Sequence, residues 1–259
     1  MSTALITGAS KGIGKAIAEI LASKKINLLL VARSEDLLKE HAEYLKSKYN
    51  VEVNYLVVDL SHTNAIDKIF NCCTDEKKEI NILVNNAGYG LSGPFEKYSI
   101  EEHLEMMKVN MNVPVQLVYT FLPMLRRQSK SYILNIASTA AYQSVPGLNV
   151  YAATKAFILN FSRGLRYELR KSNISVTVIS PGATDTDFPN RASITGKKAI
   201  RTAEKFNMQP EAVAAIAVNA MFDEKAEAIA GMLNKLTAFF VWLLPKHIAE
   251  KAAANIYDL

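Results

Sequence analysis

The most informative stretch lies at the start of the chain: Thr3-Ala-Leu-Ile-Thr7-Gly8-Ala-Ser-Lys-Gly12-Ile-Gly14-Lys15-Ala-Ile-Ala-Glu-Ile-Leu-Ala22. Residues 3–7 form a short apolar run that predicts a buried strand, and residues 15–22 have the periodicity of a helix. Between them stand three glycines with the spacing Gly-x-x-x-Gly-x-Gly. Glycines let a backbone turn tightly and approach a pyrophosphate, whose charge is stabilised by the amides of a helix N-terminus. The order strand, glycine loop, helix therefore favours a dinucleotide site over a ligand-free turn.

Strand and helix patterns alternate along the rest of the chain. Further strands are predicted at 27–31, 51–58, 80–84, 131–137 and 174–179, with a brief last one at 228–230. Helices are predicted at 34–49, 63–79, 100–128, 151–172 and 210–222. This alternation predicts an α/β fold with a mostly parallel sheet covered on both faces. With neither repeats nor a linker in the sequence, we expect residues 1–259 to form one domain.

The composition narrows the classes of function. The chain has 49% hydrophobic and 21% charged residues, and its net charge of +5 comes from scattered basic residues, so no nucleic-acid partner is expected. The only two cysteines, Cys72 and Cys73, are adjacent in a predicted helix and point apart, which disfavours a disulfide or a metal site. Unpaired cysteines, and a chain that begins with a strand instead of a signal peptide, predict a cytoplasmic protein.

The end of the second predicted strand bears on the choice of cofactor. A carboxylate there would accept hydrogen bonds from the ribose 2′-hydroxyl of NAD, but position 32 is alanine and Arg33 follows. An arginine can hold a 2′-phosphate through charge-assisted bonds, and Lys11 in the glycine loop adds a second positive charge. NADP(H) is therefore favoured over NAD(H). Because Glu35 is nearby, NAD(H) stays an alternative cofactor. Arg33 could also be an ordinary solvated loop charge that contacts no cofactor.

A second informative group lies at residues 138–155. Tyr151 and Lys155 are four residues apart and share one face of a predicted helix, and Ser138 ends an apolar run. An ammonium beside a phenol lowers the pKa of the phenol, which makes it a useful proton donor and acceptor. A serine hydroxyl could hydrogen-bond the substrate oxygen. The three residues could thus interconvert a carbonyl and an alcohol, although Tyr-x-x-x-Lys alone fits an ordinary amphipathic helix as well.

The C-terminal third is less regular. Residues 186–205 are polar and weakly periodic, and they follow the sixth strand, which predicts a lid over the site. Residues 232–259 form an apolar helical tail, in which the run 236–245 is shorter than the roughly 20 residues of a membrane span. The run could be a core or subunit-contact helix, a wall of the substrate site, or an interfacial membrane contact. We favour the first, and membrane contact is not expected.

Taken together, these motifs resemble the short-chain dehydrogenase/reductase family in its single-domain form. The match runs from residue 3 to about residue 186, in the order of the family's motifs. The family's catalytic tetrad is matched by Asn110, Ser138, Tyr151 and Lys155. The resemblance implies a doubly wound Rossmann-type sheet with the strand order 3-2-1-4-5-6-7. It also implies a homodimer or homotetramer formed through the two long helices.

The resemblance implies further cofactor contacts. Asp59-Leu60 matches the pair that meets the adenine ring in the family. Asn86-Ala87-Gly88 matches the segment that supports the sheet beside the cofactor. Pro181-Gly182 matches the turn beside the nicotinamide. No metal site is expected. The expected cofactor-binding residues are Gly8, Ser10, Lys11, Gly12, Ile13, Gly14, Arg33, Asp59, Leu60, Asn86, Ala87, Gly88, Tyr151, Lys155, Pro181, Gly182 and Thr184.

Other expectations concern the helix at Asn110 and the substrate. In the family such an asparagine kinks its helix and holds a water that links the lysine to solvent. The substrate pocket is formed by variable loops, here near 89–95, 139–150 and 183–205. The C-terminal third lacks the family's usual glycine-rich ending, and its tail is similar to a branch labelled DltE-like, which does not fix a substrate.

The sequence therefore predicts an oxidoreductase that transfers a hydride between NADP(H) and a carbonyl or alcohol. Reduction of a ketone or aldehyde is favoured, with a partly apolar small molecule as substrate. Tyr151 would donate the proton, Ser138 would orient the substrate oxygen, and Lys155 would lower the pKa of Tyr151 and hold the nicotinamide ribose. Asn110 would maintain a water path. The alternative is a catalytically silent NADP-binding sensor or regulatory protein.

Overall fold

Seven parallel strands form the centre of the structure, a computed structural model that describes residues 2–257 without the side chains of residues 203 and 204. The strands are β1 Thr3–Thr7, β2 Asn27–Ala32, β3 Val53–Val57, β4 Ile80–Asn85, β5 Ser131–Ile136, β6 Ile174–Ser180 and β7 Glu227–Ile229. Their order in the sheet is β3-β2-β1-β4-β5-β6-β7, and every pair is parallel. The predicted single α/β domain and its strand order are confirmed.

Helices cover both faces of the sheet, as expected for a doubly wound fold. The helices are α1 Gly12–Ser23, α2 Glu35–Tyr49, α3 Ala65–Asp75, α4 Ile100–Met107, α5 Val113–Arg127, α6 Asn149–Glu168, α7 Phe188–Arg191, α8 Lys197–Phe206, α9 Pro210–Phe222, α10 Met232–Leu243 and α11 Lys246–Ile256. In β1, Ala4 and Ile6 belong to one core cluster and Leu5 to the other. Because successive strand residues point to opposite faces, one apolar run supplies both layers of the core.

The predicted helix 100–128 contains an irregular turn. It begins at a capping box, in which Ser99 and Glu102 bond each other's backbone amides. Between α4 and α5 lies a π-helical segment, Lys108–Asn112, which contains Asn110. Such segments interrupt the regular hydrogen-bond ladder and re-aim side chains. The expected departure from helical geometry at Asn110 is therefore present.

The segment 186–205 is not the irregular loop that its weak periodicity indicated. It contains the short helices α7 and α8. Ala192 and Ala199 are buried, at 0% and 6% exposure, and anchor this segment. Two small alanines carry little hydrophobic signal, which explains why the sequence did not indicate these helices.

The structure contradicts one part of the favoured interpretation of the apolar tail, namely that the run 236–245 is a core helix. In α10 only a narrow strip of Asn234, Ala238 and Val241 is partly buried, and no residue of this helix is fully buried. Large apolar side chains face outward, with Trp242 at 73% and Phe239 at 53% exposure. A surface helix usually turns its apolar face to the core, so the core interpretation of this run is wrong.

The tail continues in α11, which the body of the protein holds through the buried Ala249 and Ala253. Positions 1, 258 and 259 of the predicted domain lie outside the described residues. Within residues 2–257, no helix combines the length and apolar character that crossing a membrane requires. Subunit contact and interfacial membrane contact of α10 both stay predictions, as does assignment of the tail to the DltE-like branch.

Buried and exposed apolar residues should differ in how much their removal lowers stability. Phe121 is fully buried and packs edge-to-face on Phe70, with ring centroids 5.5 Å apart. Phe121→Ala should lower the free energy of unfolding by about 3–5 kcal/mol because it leaves a cavity. Trp242→Ala should change it by less than about 0.5 kcal/mol. Urea unfolding of both variants measures this, and a similar loss for Trp242→Ala would contradict the exposed position of α10.

Candidate active site

The carboxyl ends of the strands surround a cavity of about 760 Å³. In a parallel sheet these ends lie at one edge, so the segments that follow β1, β2, β4, β5 and β6 meet there. Of the predicted cofactor-binding residues, all but Gly14 line the cavity, and Ser138 lines it as well. Gly14 and Asn110 are buried behind the wall. The structure thus brings the predicted residues together, and these two support the wall from behind.

The glycine loop is locked to the segment that follows β4. The Asn86 side-chain amide donates to the carbonyl oxygens of Thr7 and Gly8, at 2.9 and 3.1 Å. The Thr7 hydroxyl accepts from the amides of Asn86 and Ala87, at 3.0 and 3.1 Å. Gly8 has a φ of +66°, and a Cβ on Gly8 or Gly14 would overlap the Asn86 amide. Glycine is therefore needed at both positions for close backbone approach.

Two ion pairs line the cavity. Arg33 pairs with Asp59 at 3.6 Å, and the Arg33 side chain is 56% exposed. The pKa of Asp59 is lowered, against the effect of its burial, by hydrogen bonds from Ser61 and by the charge of Arg33. Lys11 pairs with Asp187 at 3.2 Å, which joins the glycine loop to the segment before α7. Because its side chain is half-exposed, Arg33 has the freedom to contact an anion in the cavity.

The Ser-Tyr-Lys group is assembled from β5 and α6. Ser138 follows β5, and its side chain lies near enough to the Tyr151 hydroxyl to affect the pKa of that phenol. Lys155 lies one turn further along α6, with its Nζ 5.7 Å from the centroid of the Tyr151 ring. Its ammonium donates to the carbonyl oxygen of Ile136 at 2.9 Å. Tyr151 and Lys155 are only 8% and 5% exposed.

The pKa values in this group differ from the sequence prediction. Burial raises the pKa of Tyr151, and the Ser138 side chain only partly opposes this. Lys155 was expected to lower that pKa, but burial lowers the pKa of Lys155 itself, to about 8. Desolvation disfavours the charged form of each group, which is the physical reason for both shifts. Tyr151 is therefore a neutral phenol, suited to donate a proton.

Asn110 organises the wall behind this group. Its Oδ1 accepts from the Tyr89 amide at 3.1 Å, and its Nδ2 donates to the Tyr89 carbonyl at 2.9 Å and the Thr154 hydroxyl at 3.1 Å. A Cβ on Gly88 would come within 2.9 Å of Asn110 Oδ1 and 3.4 Å of Lys155 Nζ. Asn110 therefore fixes the segment after β4 against α6 and lies close to Lys155 through Gly88.

Sequence reasoning missed several residues of the cavity wall. Leu148, Phe188 and Tyr257 line the cavity beside Tyr151, and the rings of Phe188 and Tyr151 lie 5.2 Å apart. Phe188 falls in the predicted lid and Leu148 in a predicted substrate loop, so their regions were indicated. Tyr257 lies at the end of the chain, where no motif points to the site.

A further contact that the sequence did not indicate connects α10 with the site. The Asn234 side chain donates to the Ala230 carbonyl at 2.6 Å and lies against Gly182. A Cβ at position 182 would overlap Asn234. The turn after β6 therefore needs glycine because the first turn of α10 packs directly on it.

Comparisons with known proteins agree with this geometry. The family model described as short chain dehydrogenase matches residues 2–197, which include every predicted site residue. An uncharacterised oxidoreductase of Staphylococcus saprophyticus is 34% identical over 183 residues, 71% of this chain and 78% of that protein. The NADP-dependent 3-hydroxy acid dehydrogenase of Schizosaccharomyces pombe is 35% identical over 188 residues, 72% and 73% of the two chains. Among solved structures, a short-chain dehydrogenase from Sphingobium yanoikuyae in complex with NADPH is 31% identical, has a TM-score of 0.79 and is aligned over 89% of this chain and 87% of its own.

The lowered pKa of Lys155 predicts a pH-dependent stability. Between the folded pKa of about 8 and the ordinary value of 10.5, the unfolded chain binds the proton and the folded protein does not, so stability rises with pH. Relative to Lys155→Met, the free energy of unfolding of the native protein should rise by about 1.4 kcal/mol per pH unit in this window. Urea unfolding of both proteins without added nucleotide measures the difference. A difference that is constant with pH would contradict the shift.

Proposed function

This chain belongs to the short chain dehydrogenase family, and we propose that it uses NADP(H) to reduce a ketone or aldehyde to an alcohol. The observation that carries the proposal is that Ser138, Tyr151 and the buried Lys155 line the same cavity as the glycine loop. A proton donor and a nucleotide-binding loop in one cavity are what carbonyl reduction requires. Family membership makes the chain an oxidoreductase, and the cofactor and the direction are our proposal.

The residues of the cavity fit a dinucleotide. The N-cap of α1, Lys11, makes no side-chain cap hydrogen bond, so the first amides of this helix are available to a pyrophosphate. Gly8 and Gly12, with φ of +66° and +55°, keep the loop free of side chains that would fill this space. Asp59 and Leu60 would lie against the adenine ring, and Lys155 would hold the nicotinamide ribose. When bound, the nicotinamide supplies the hydride.

Arg33 supports a preference for NADP(H). Ala32 offers no carboxylate to a ribose 2′-hydroxyl, and the half-exposed guanidinium of Arg33 beside it can take a 2′-phosphate. The named relative from Schizosaccharomyces pombe is NADP-dependent, and the solved Sphingobium structure contains NADPH. Both residues are in ion pairs, but Arg33 is held less closely, at 3.6 Å from Asp59 against 3.2 Å between Lys11 and Asp187, and a guanidinium has further N–H donors, so we assign the main phosphate contact to Arg33.

Ser138 and Tyr151 would carry the proton chemistry. The Ser138 Oγ accepts from the Ala140 amide at 3.1 Å, which orients the hydroxyl and leaves its hydrogen for the substrate oxygen. Tyr151, neutral because its pKa is raised, would donate its proton to the oxygen that gains charge during reduction. The phenolate left behind would be stabilised by the Lys155 ammonium. Below its pKa of about 8, Lys155 is charged at neutral pH and can do this.

Asn110 would support the return of a proton to this group. Its amide is held by Tyr89 and Thr154, so its free Oδ1 lone pair faces the space beside Gly88 and Lys155. An oxygen acceptor in that place can order a water, as the family resemblance implied. The water path through Asn110 is therefore part of the proposal.

The cavity wall favours a partly apolar substrate. Leu148, Phe188 and Ile194 line the space on the Tyr151 side. The segment 186–205 borders this space, so we assign it the role of a lid. A silent NADP-binding sensor is the alternative, but the proton donor Tyr151 and its lysine are both in place, and we favour the enzyme.

We also propose a homo-oligomer in the cytoplasm. Exposed aromatic side chains on α5 and α6, Tyr119 at 81% and Tyr167 at 68%, support a subunit contact through the two long helices. The free thiols of Cys72 and Cys73 support a reducing compartment.

Removal of the proton donor tests the mechanism. Tyr151→Phe should lower kcat for ketone reduction with NADPH by about a hundredfold to ten-thousandfold, because it removes the phenol that donates the proton. Loss of NADPH absorbance with a panel of ketones and aldehydes measures the rate. Tyr44→Phe, at an exposed site on α2 outside the cavity, is the matched control and should keep native activity. Equal rates for the native protein and Tyr151→Phe would refute the assigned role.

Removal of the arginine tests the cofactor preference. Arg33→Ala should raise the KM for NADPH about tenfold to a hundredfold, because charge-assisted bonds to the 2′-phosphate are lost, and should leave the KM for NADH nearly unchanged. Arg127→Ala is the control, since Arg127 pairs with Glu79 at the opposite edge of the sheet. Equal changes in the KM for NADPH and for NADH, or a preference of the native protein for NADH, would contradict the assignment of Arg33 to the 2′-phosphate.

A further inference from the structure

The last described residue of the chain reaches the candidate active site. Tyr257 caps α11, where its backbone amide bonds the carbonyls of Ala253 and Ala254 at 3.3 and 3.1 Å. Its ring lines the cavity and packs against the apolar cluster that contains Leu148 and Tyr151. The charge of a Tyr257 phenolate would raise the pKa of Tyr151, which places the two phenols near each other. The C-terminal tail therefore supplies part of the wall beside the proton donor.

The structure holds this wall in place from two sides. Ala249 and Ala253 bury one face of α11 against the body of the protein. On the other side, Lys198 of α8 donates to the Asn255 side chain at 3.1 Å. The tail is thus attached to the segment that we assign as a lid, and both elements border the same part of the cavity. The position of Tyr257 is a consequence of these contacts.

The hydroxyl of Tyr257 differs from those of the other phenols in the cavity. Tyr89 bonds Glu105 at 3.2 Å, and the Tyr151 hydroxyl lies near Ser138. Among residues 2–257, nothing hydrogen-bonds the Tyr257 hydroxyl, and burial alone raises the pKa of this phenol. A neutral phenol is a hydrogen-bond donor, and a phenol in an apolar wall usually has a partner. The partner it fits is an oxygen acceptor inside the cavity.

We propose that Tyr257 determines substrate specificity by donating a hydrogen bond to a second oxygen of the substrate, apart from the reacting carbonyl. In the proposed reaction, Ser138 and Tyr151 already act as two donors to the reacting oxygen. A third donor in the wall therefore serves another group. The substrate class is a ketone with an apolar body and a second, uncharged acceptor oxygen, such as a keto ester. This inference rests on the proposed carbonyl reduction.

The test compares substrates that differ only in the second oxygen. Straight-chain keto esters, with the ester at increasing distance from the ketone, are paired with plain ketones of equal length. Tyr257→Phe keeps the ring and removes the hydroxyl. It should lower kcat/KM about fivefold to tenfold for the keto ester that the native protein prefers, and by less than about twofold for the paired ketone. Tyr44→Phe is again the matched control and should alter neither value.

Equal effects of Tyr257→Phe on both members of a pair, or no effect on either, would overturn the inference. Equilibrium binding of the same keto esters in the presence of NADP⁺ separates this from a failure of the proposed function. If the native protein reduces no ketone but Tyr257→Phe still weakens keto-ester binding severalfold, the role of Tyr257 in specificity is supported and the proposed carbonyl reduction is refuted. If neither turnover nor binding distinguishes the variant, the specificity role is wrong.

Discussion

The site depends on the hydrogen bonds between Thr7 and Asn86. One side-chain amide bonds two carbonyls of the glycine loop, and one hydroxyl accepts two amides of the segment after β4. These bonds form only because Gly8 and Gly14 leave room for the Asn86 side chain. The glycine spacing therefore serves packing inside the protein as well as access for a pyrophosphate. Buried polar groups must be paired, so loss of Asn86 would leave carbonyls of the loop without a partner.

Other polar contacts extend this arrangement across the sheet. Asn85 of β4 donates to Asn135 of β5, and Asn135 donates to Ser162 of α6, both at 2.8 Å in the buried core. Asn110 joins the segment after β4 to α6 through Thr154. These contacts fix the segment after β5, which carries Ser138, and the helix that carries Tyr151 and Lys155. Both are thereby held in place relative to the glycine loop. These buried hydrogen bonds limit how β4, β5 and α6 can pack against one another, although the Oδ1 of Asn85 has no partner among the described residues.

The sequence predicted most of this arrangement because the signals are local. Short apolar runs locate the strands, and the motif after each strand locates the residues of the cavity. What it could not predict depends on contacts between distant parts of the chain. No local sequence pattern indicates the contacts of Asn234 with Gly182 and of Lys11 with Asp187, or the position of Tyr257 beside Tyr151. The raised pKa of Tyr151 likewise follows from burial, which spacing alone does not measure. The outward apolar face of α10 misled the prediction because hydrophobicity indicates burial only when another element covers it.

If the segments after β1, β4 and β6 form one nucleotide site, they should respond together when NADP⁺ binds. Amide hydrogen exchange, followed as NADP⁺ is added, measures this response. We expect exchange to slow together at residues 8–14, 86–90 and 181–187, with one common half-saturation concentration, and NAD⁺ to produce the same pattern only at higher concentration. Slowed exchange confined to other regions, or unchanged exchange in these three segments at saturating NADP⁺, would contradict a single nucleotide site.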